Sequence, residues 1–197
     1  MVLRHTHWVF DLDGTLTVGA HDFAAIRRTL GLPAQRGILE AIADLPAERA
    51  AAAMRWLDDH EYELACVARA AAGADLLLSR LVGRGVRLGI VTRNSLPNLE
   101  ATLRAADLLH YFEPGGFVTR ELTAPKPRPD GILHLLGLWG APATAAVMVG
   151  NHAMDLLAGR AAGTTTVHVD SSGAFPWSEH ADVEVTSLAD IVALLGD

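Results

Sequence analysis

The sequence has 197 residues, of which 50% are hydrophobic and 20% are charged, so it is long and apolar enough for one sizeable core and does not resemble a disordered chain. Its net charge of −7 and the lack of any basic block argue against nucleic-acid binding, because contacts to the phosphate backbone need clustered Lys and Arg. The single cysteine excludes an internal disulfide, and with neither a signal peptide nor a bilayer-length apolar run we expect a cytoplasmic protein without membrane contact.

The first predicted strand leads directly into two acidic residues. Residues 8–10 read Trp-Val-Phe, an apolar run typical of a buried strand in a parallel sheet, and Asp11 and Asp13 follow. Because residues i and i+2 of a strand point to the same side, we expect both carboxylates to converge where ligands bind in open α/β sheets. A divalent cation would offset their repulsion and leave one of them available as a nucleophile. An Asp-Gly turn with Asp11 as a helix cap would explain the same residues without a site.

Residues 17–72 are predicted to be helical throughout. The apolar spacing favours helices near residues 23–30 and 38–42, and a longer helix from Pro46 to about Ala71 that ends at Gly73. We therefore expect a helical cap domain, residues 17–72, inserted between the two parts of an α/β core domain, residues 1–16 and 73–197. A cap on the side of Asp11 could exclude water and contact the substrate. Its arginines could meet an anionic substrate, although a solvated helix surface is the simpler interpretation of each: Arg27, Arg28, Arg36 and Arg55.

The alternation of predicted strands and helices resumes after Gly73. A predicted strand over 86–91 ends at Thr92, and Arg93 and Asn94 begin the segment that leads into the next helix. The N-terminus of such a helix attracts anions, because its free backbone N–H groups point outward. Thr92 could donate its hydroxyl to a phosphate oxygen, or it could serve only as a helix cap.

Two later segments also carry candidate site residues. Lys126 stands between two prolines in a stiff loop before a helix that starts near Asp130, which favours a role at the site over that of an ordinary surface lysine. A buried strand over 146–150 is followed by Asn151 and Asp155. Further strands are predicted over 165–169 and 183–185, before a closing helix over 187–195.

Taken together, four segments resemble the haloacid dehalogenase (HAD) superfamily. They read DLDGT at 11–15, VTRN at 91–94, KPRPD at 126–130 and GNHAMD at 150–155. The resemblance implies an α/β fold, a Rossmannoid three-layer core with a central parallel sheet, plus a small α-helical cap inserted after the first strand. The cap is similar to that of the phosphoglycolate phosphatase-like branch.

The resemblance also implies a role for each residue. Asp11 would be the nucleophile that forms an aspartyl-phosphate, and Asp13 would protonate the leaving oxygen and activate water. Thr92 and Lys126 would hold the phosphoryl oxygens and offset the developing charge, and Arg93 and Asn94 are also expected to bind the phosphate. Mg²⁺ would be held by Asp11, the backbone carbonyl of Asp13, Asn151 and Asp155.

Asn151 departs from the family pattern, in which an aspartate usually occupies this position. An amide oxygen can bind Mg²⁺ but lacks the negative charge that a hard cation prefers, so weaker metal affinity is expected. Three explanations stay open: the site tolerates Asn, the residue was introduced to trap a complex, or the protein has drifted toward binding without catalysis. The intact Asp11, Asp13 and Lys126 argue against complete loss of chemistry.

The sequence therefore favours a Mg²⁺-dependent phosphatase of small phosphorylated metabolites, either phosphoglycolate-like or sugar phosphates. Asp13 favours phosphoester chemistry over dehalogenation, and Thr15 favours a phosphatase over a phosphomutase of the same superfamily. A phosphomutase and a catalytically weakened phospholigand-binding protein stay as alternatives. A nucleotide-dependent oxidoreductase fits poorly, since no G-x-G-x-x-G follows the first strand. The sequence does not fix the substrate, or whether the protein is a monomer or homodimer.

Overall fold

The fold is built on a central parallel sheet. The computed structural model describes residues 4–20 and 22–195; the predicted domain ranges also include residues 1–3, 21, 196 and 197, which lie outside the described residues. Within the described part, six strands lie in the order β3-β2-β1-β4-β5-β6, with every neighbouring pair parallel. The strands are β1 (His7–Phe10), β2 (Arg87–Val91), β3 (Phe117–Val118), β4 (Ala146–Gly150), β5 (Thr165–Val169) and β6 (Val183–Val185).

Helices cover both faces of this sheet. Those of the described residues are α1 (Phe23–Leu30), α2 (Ile38–Ala43), α3 (Ala47–Ala65), α4 (Ala74–Gly83), α5 (Leu96–Ala105), α6 (Asp130–Trp139), α7 (Ala153–Ala162) and α8 (Leu188–Leu194). Short 3-10 helices lie at Leu109–Tyr111, Ala143–Ala145 and Ser178–His180. None of the helices in the described part of the chain combines the length and apolar character needed to cross a bilayer.

The apolar run before Asp11 forms the centre of the core. Trp8 and Phe10 pack with residues of α4, α5 and α8 on one face, while Val9 packs with residues of α6 and α7 on the other. Alternate residues of a strand point to opposite faces, so a strand covered on both sides must be apolar at every position. This arrangement confirms the predicted three-layer α/β core.

The helices of the inserted segment have an apolar cluster of their own. Ile26 of α1, Ile42 of α2 and Leu57 of α3 are buried against one another, together with Leu32, Ala41 and Ala53. A small core of this kind supports the proposal that residues 17–72 form a cap domain on the larger α/β core.

The third cap helix is shorter than the sequence indicated. It ends at Ala65 instead of about Ala71, and Gly73 begins α4 in a left-handed conformation with φ of 82° instead of ending α3. The segment between α3 and α4 is extended where it pairs with residues 16–18, which lead into the cap. Val18 N–H donates to Arg69 O at 3.0 Å, and Ala71 N–H donates to Leu16 O at 2.8 Å. The two connections between cap and core therefore run side by side.

Candidate active site

A cavity of about 270 Å³ lies at the carboxyl ends of β1, β2 and β4, between the sheet and the inserted helices. The parallel register aligns these strand ends, with Phe10 opposite both Ile90 and Val149. All eight site residues inferred from the sequence line the cavity: Asp11, Asp13, Thr92, Arg93, Asn94, Lys126, Asn151 and Asp155. The inserted helices and their loops contribute Phe23, Arg27, Gly37, Ile38, Leu39, Leu57 and Glu61, and the loop into α7 with its first turn contributes His152 and Met154.

Asp11 is fixed at the floor of the cavity by its backbone and by two side chains. Its N–H donates to Val149 O at 2.9 Å, which extends the β1–β4 ladder by one residue. Its carboxylate accepts from Lys126 Nζ at 2.6 Å and from Thr15 Oγ1 at 3.2 Å. Burial and the nearby charge of Asp155 raise the pKa of Asp11 to about 7, although Lys126 favours the ionised form. Asp11 is thus a carboxylate whose charge is weakly solvated, which suits a nucleophile.

Lys126 joins two carboxylates at the base of the site. Its side chain is 3% exposed, and Nζ lies 2.6 Å from Asp11 Oδ1 and 2.7 Å from Asp155 Oδ1. Burial disfavours the charged amine, but the charges of Asp11 and Asp155 outweigh it and raise the pKa of Lys126. The amine is therefore a fixed positive charge next to Asp11, where it can offset negative charge that develops on a substrate.

The turn after Asp11 lies against Asn151, the residue that follows β4. Gly14 has φ of 80°, and a Cβ at this position would collide with Asn151 Nδ2. Thr15 Oγ1 lies 3.2 Å from Asp11 Oδ2 and 3.5 Å from Asn151 Oδ1, so its hydroxyl lies between the two motifs. Glycine is favoured here because a side chain would be strained at this φ and would displace the Asn151 amide.

Asp13 and Thr92 are positioned by Asn94. Asn94 Nδ2 donates to Asp13 Oδ2 at 2.6 Å, and Asn94 N–H donates to Thr92 Oγ1 at 3.1 Å. Since Thr92 Oγ1 already accepts one hydrogen bond, its own hydrogen is available to an oxygen in the cavity. The sequence identified Asn94 only as a residue of the phosphate-binding segment, whereas the structure also gives it this role in positioning Asp13.

Asp155 contacts both Lys126 and the start of α7. Its Oδ2 accepts from His152 N–H at 3.0 Å, while His152 Nδ1 accepts from Met154 N–H at 3.2 Å, so the two side chains form a capping box. Asp155 Oδ1 meets Lys126. This geometry fixes the orientation of the carboxylate, because each of its oxygens has a separate partner.

Arg93 is bound by a residue that the sequence did not single out. Arg93 Nη2 donates to both carboxylate oxygens of Glu40 on α2, at 2.6 and 2.8 Å, and Nη1 donates to Lys126 O at 3.2 Å. Burial opposes ionisation of Glu40, but hydrogen bonds from its own backbone and from Arg93 lower its pKa overall. Nothing in the spacing of Glu40 and Arg93 along the chain indicates this pair. It links the inserted helices to the loop after β2.

A second ion cluster joins the same two parts of the molecule. Arg120 of the core meets Asp58 and Glu61 of α3, the latter at 3.1 Å, and Asn98 Nδ2 donates to Glu61 Oε2 at 3.3 Å. The Arg120 side chain is only 9% exposed. These contacts hold α3 over the carboxyl ends of β2 and β3 and so close one side of the cavity.

The oxygen-rich side of the cavity fits a hard divalent cation. Asp11, Asp13 and Asp155 all line it, and Lys126 is the cation paired with two of them, so negative charge remains in excess among these four residues. Within residues 4–20 and 22–195, no set of three His, Cys, Asp or Glu side chains is arranged to hold a metal. A cation here would therefore need a mixed donor set, in which the carboxylates of Asp11 and Asp155 would be joined by the amide oxygen of Asn151 and a backbone carbonyl.

Comparisons with known proteins give one consistent result. The family model described as haloacid dehalogenase-like hydrolase matches residues 7–163. A haloacid dehalogenase-like hydrolase domain-containing protein of Arabidopsis thaliana is 30% identical and covers 95% of this chain and 82% of its own length. A phosphoglycolate phosphatase of Yersinia pseudotuberculosis is 28% identical over 95% of this chain and 91% of its own. The structure of a hydrolase from Pseudomonas syringae has a TM-score of 0.80 at 24% identity, over 96% of this chain and 97% of that one.

Proposed function

Because this chain belongs to the haloacid dehalogenase-like hydrolase family, we infer that it is a phosphatase of that family, and we propose that it hydrolyses small phosphate monoesters through an aspartyl-phosphate at Asp11 with the help of Mg²⁺. The observation that carries the proposal is the contact of Lys126 Nζ with both Asp11 and Asp155 at the floor of a cavity closed by the inserted helices. A buried carboxylate held by a fixed amine is suited to attack phosphorus and to have the resulting charge offset.

In the proposed first step, Asp11 attacks phosphorus and the leaving oxygen departs on the opposite side. Lys126 and the hydroxyl of Thr92 would hold the phosphoryl oxygens, because both are hydrogen-bond donors that line the cavity with Asp11. Little covalent work is required of a protein in phosphoryl transfer, so positioning and charge account for most of the rate. The contacts of its N–H group and of both carboxylate oxygens fix Asp11 from three sides, which limits the reorganisation needed before attack.

Asp13 is the proposed general acid and base. Its Oδ2 is held by Asn94 Nδ2, which orients the carboxyl group in the cavity that it lines. As an acid it would protonate the leaving oxygen, and as a base it would then take a proton from the water that attacks the aspartyl-phosphate. One group can serve both steps because the first step leaves it ionised.

The proposed Mg²⁺ donors are Asp11, the backbone carbonyl of Asp13, Asn151 and Asp155. When bound, the cation would reduce the repulsion between the anionic nucleophile and the anionic phosphoryl group. The inserted helices would cover the leaving group, since their apolar residues Ile38, Leu39 and Leu57 line the cavity and limit the access of water.

A burst experiment tests the roles of Asp11 and Asp13 together. p-Nitrophenolate is a good leaving group that needs no protonation, so Asp13→Asn is expected to form the aspartyl-phosphate from p-nitrophenyl phosphate but to hydrolyse it slowly. Stopped-flow absorbance should show about one equivalent of nitrophenolate per chain in the first turnover, followed by steady release slowed by about 10²–10⁴-fold. Acid-quenched protein should carry the phosphoryl group on the peptide that contains Asp11.

The double variant Asp11→Asn with Asp13→Asn is the matched control, and it should show no burst. A steady rate for Asp13→Asn equal to that of the wild type, without a burst, would contradict the role of Asp13. A phosphoryl group on another peptide would contradict the role of Asp11.

Replacing Asn151 with aspartate is expected to strengthen Mg²⁺ binding by about 10-fold or more, because it adds a negative charge to the proposed donor set. Activity at limiting Mg²⁺ should rise accordingly. The metal-dependent increase in melting temperature provides a readout that does not depend on turnover, and Asn151→Ala is the matched comparison. If Asn151→Asp changes neither the Mg²⁺ dependence of activity nor that of melting, Asn151 does not contact the cation.

A further inference from the structure

Arg27 on α1 lies in the wall of the active-site cavity, on the side of the inserted helices. We infer that Arg27 is the receptor for a second anionic group on the substrate, located on the leaving-group side of the phosphoryl centre. The inference rests on the proposed phosphatase function and makes its substrate class more specific: phosphate monoesters whose leaving group itself carries a carboxylate or a phosphate.

The Arg27 guanidinium is fixed by the backbone and not by an acid. Nη1 donates to Phe23 O at 3.3 Å and Nη2 donates to Arg36 O at 3.2 Å. Its Nε is buried and has no hydrogen-bond partner within the described residues, where Arg27 also forms no ion pair. A buried N–H donor without a partner, such as this Nε, is costly unless a ligand satisfies it. The neutral carbonyls hold the fork in place, while no acidic side chain among residues 4–20 and 22–195 pairs with its positive charge.

Within the described residues one other arginine, Arg93, lines the cavity, and it has an acidic partner. Arg93 meets both oxygens of Glu40, so its charge is already neutralised by a bidentate pair. A substrate anion would have to displace Glu40 to use Arg93, whereas it could meet Arg27 without breaking any ion pair among the described residues. The difference assigns recognition of an extra anion to Arg27.

The positions of the phosphoryl site and of Arg27 determine where the two anionic groups of a substrate would lie. The phosphoryl group is expected next to Lys126 and Thr92 on the sheet side, and Arg27 lies on the opposite, helical side with Phe23, Leu39 and Leu57. Because Lys126 and Arg27 line the same cavity, a substrate with a short linker between its two anions could contact both. Carboxylate and phosphate both match the planar guanidinium fork, so either could be the second anion.

Three matched esters test the inference. They share a two-carbon leaving group and differ only at its end: 2-phosphoglycolate carries a carboxylate, ethane-1,2-diol bisphosphate a second phosphate, and 2-hydroxyethyl phosphate a neutral hydroxyl. We expect the wild-type protein to prefer one or both of the esters with an anionic end in kcat/KM, and Arg27→Gln to lower the preference ratio over the neutral ester by about 10–100-fold. The larger of the two ratios identifies the second anion as carboxylate or phosphate. Arg27→Lys, which keeps the charge but not the fork, should retain part of the preference.

Arg28→Gln is the matched control, because Arg28 is the exposed neighbour on the same helix and lies outside the cavity lining. It should leave all three kcat/KM values unchanged. An Arg27→Gln variant that loses activity equally on the three esters would show a merely structural role, and an unchanged ratio would also overturn the inference. So would a wild-type protein with no preference for the charged esters.

A binding measurement separates failure of this inference from failure of the proposed function. Calorimetric titration of Asp11→Asn with 2-phosphoglycolate, the bisphosphate and 2-hydroxyethyl phosphate requires no turnover. If the wild type hydrolyses none of them and no other phosphate monoester at saturating Mg²⁺, the proposed function fails, yet tighter binding of a charged ester that disappears when Arg27→Gln is added would still support Arg27 as the receptor. Equal binding of the three esters would overturn the assignment of Arg27, whatever the outcome for catalysis.

Discussion

Replacing Asp11 with asparagine is expected to lower kcat on any phosphate ester by at least about 10⁴-fold, because an amide cannot form the proposed phosphoryl intermediate. The protein should stay folded. Lys126 keeps Asp155 as a partner at 2.7 Å, and the variant removes a buried carboxylate that Asp155 repels. Without added Mg²⁺, its melting temperature at pH 8 should therefore equal or exceed that of the wild type.

Steady-state phosphate release and thermal melting, measured on the same preparations, check both parts of this expectation. Asp11→Glu is a useful companion, since it keeps the charge but moves the nucleophile by one methylene. Retention of more than about a tenth of wild-type activity by Asp11→Asn would contradict the assignment of Asp11 as nucleophile. Loss of activity together with a collapse of the melting transition would instead show that Asp11 mainly stabilises the fold.

Replacing Lys126 with methionine is expected to destabilise the protein by about 3–5 kcal/mol, because Asp11 and Asp155 would lose the buried positive charge that both contact. It should also lower kcat/KM by about 10²–10³-fold, since a fixed charge beside the phosphoryl group is lost. Methionine has a similar length and fills the same space, so the loss reflects charge more than packing. Urea unfolding and phosphate release measure the two effects.

The destabilisation by Lys126→Met should depend on pH in a defined direction. A carboxyl group whose pKa is raised on folding holds its proton more tightly in the folded state, so its contribution to stability falls as pH rises above its ordinary value near 3.8. The pKa of Asp11 is raised to about 7 even with Lys126 present, and it must rise further without the amine. In the presence of EDTA, the free-energy difference from the wild type should be small at pH 5 and large at pH 8. The same difference at both pH values would contradict a charge-based role.

The sheet and the floor of the site could be predicted from the sequence because both depend on local patterns. The apolar run Trp8–Phe10 and the strands before Thr92 and Asn151 are covered on both faces, so each is continuous in hydrophobicity. Parallel strands present their carboxyl ends along one edge, and that rule alone places Asp11, Thr92 and Asn151 together. The structure brings them into one cavity with Lys126 and Asp155.

The contacts between the inserted helices and the core could not be predicted in this way. Arg93 and Glu40 lie 53 positions apart, as do many other pairs of opposite charge, and nothing in their spacing distinguishes the pair that meets. Likewise, apolar periodicity extended α3 past Ala65, where tertiary pairing of Ala71 with Leu16 overrides the helical tendency of the segment. Whether Arg27 has an acidic partner also depends on which acids lie nearby, and only the folded arrangement shows that within the described residues it pairs with none.

Release of inorganic phosphate from a panel of small phosphate monoesters, with and without Mg²⁺, tests the central claim most directly. The account predicts release that requires Mg²⁺, is fastest for small esters with a second anionic group, and is absent from Asp11→Asn prepared in parallel. Silence of the wild type toward the whole panel at saturating Mg²⁺, unrelieved by Asn151→Asp, would contradict a phosphatase. It would favour instead a protein that binds phosphorylated ligands or exchanges phosphate between them.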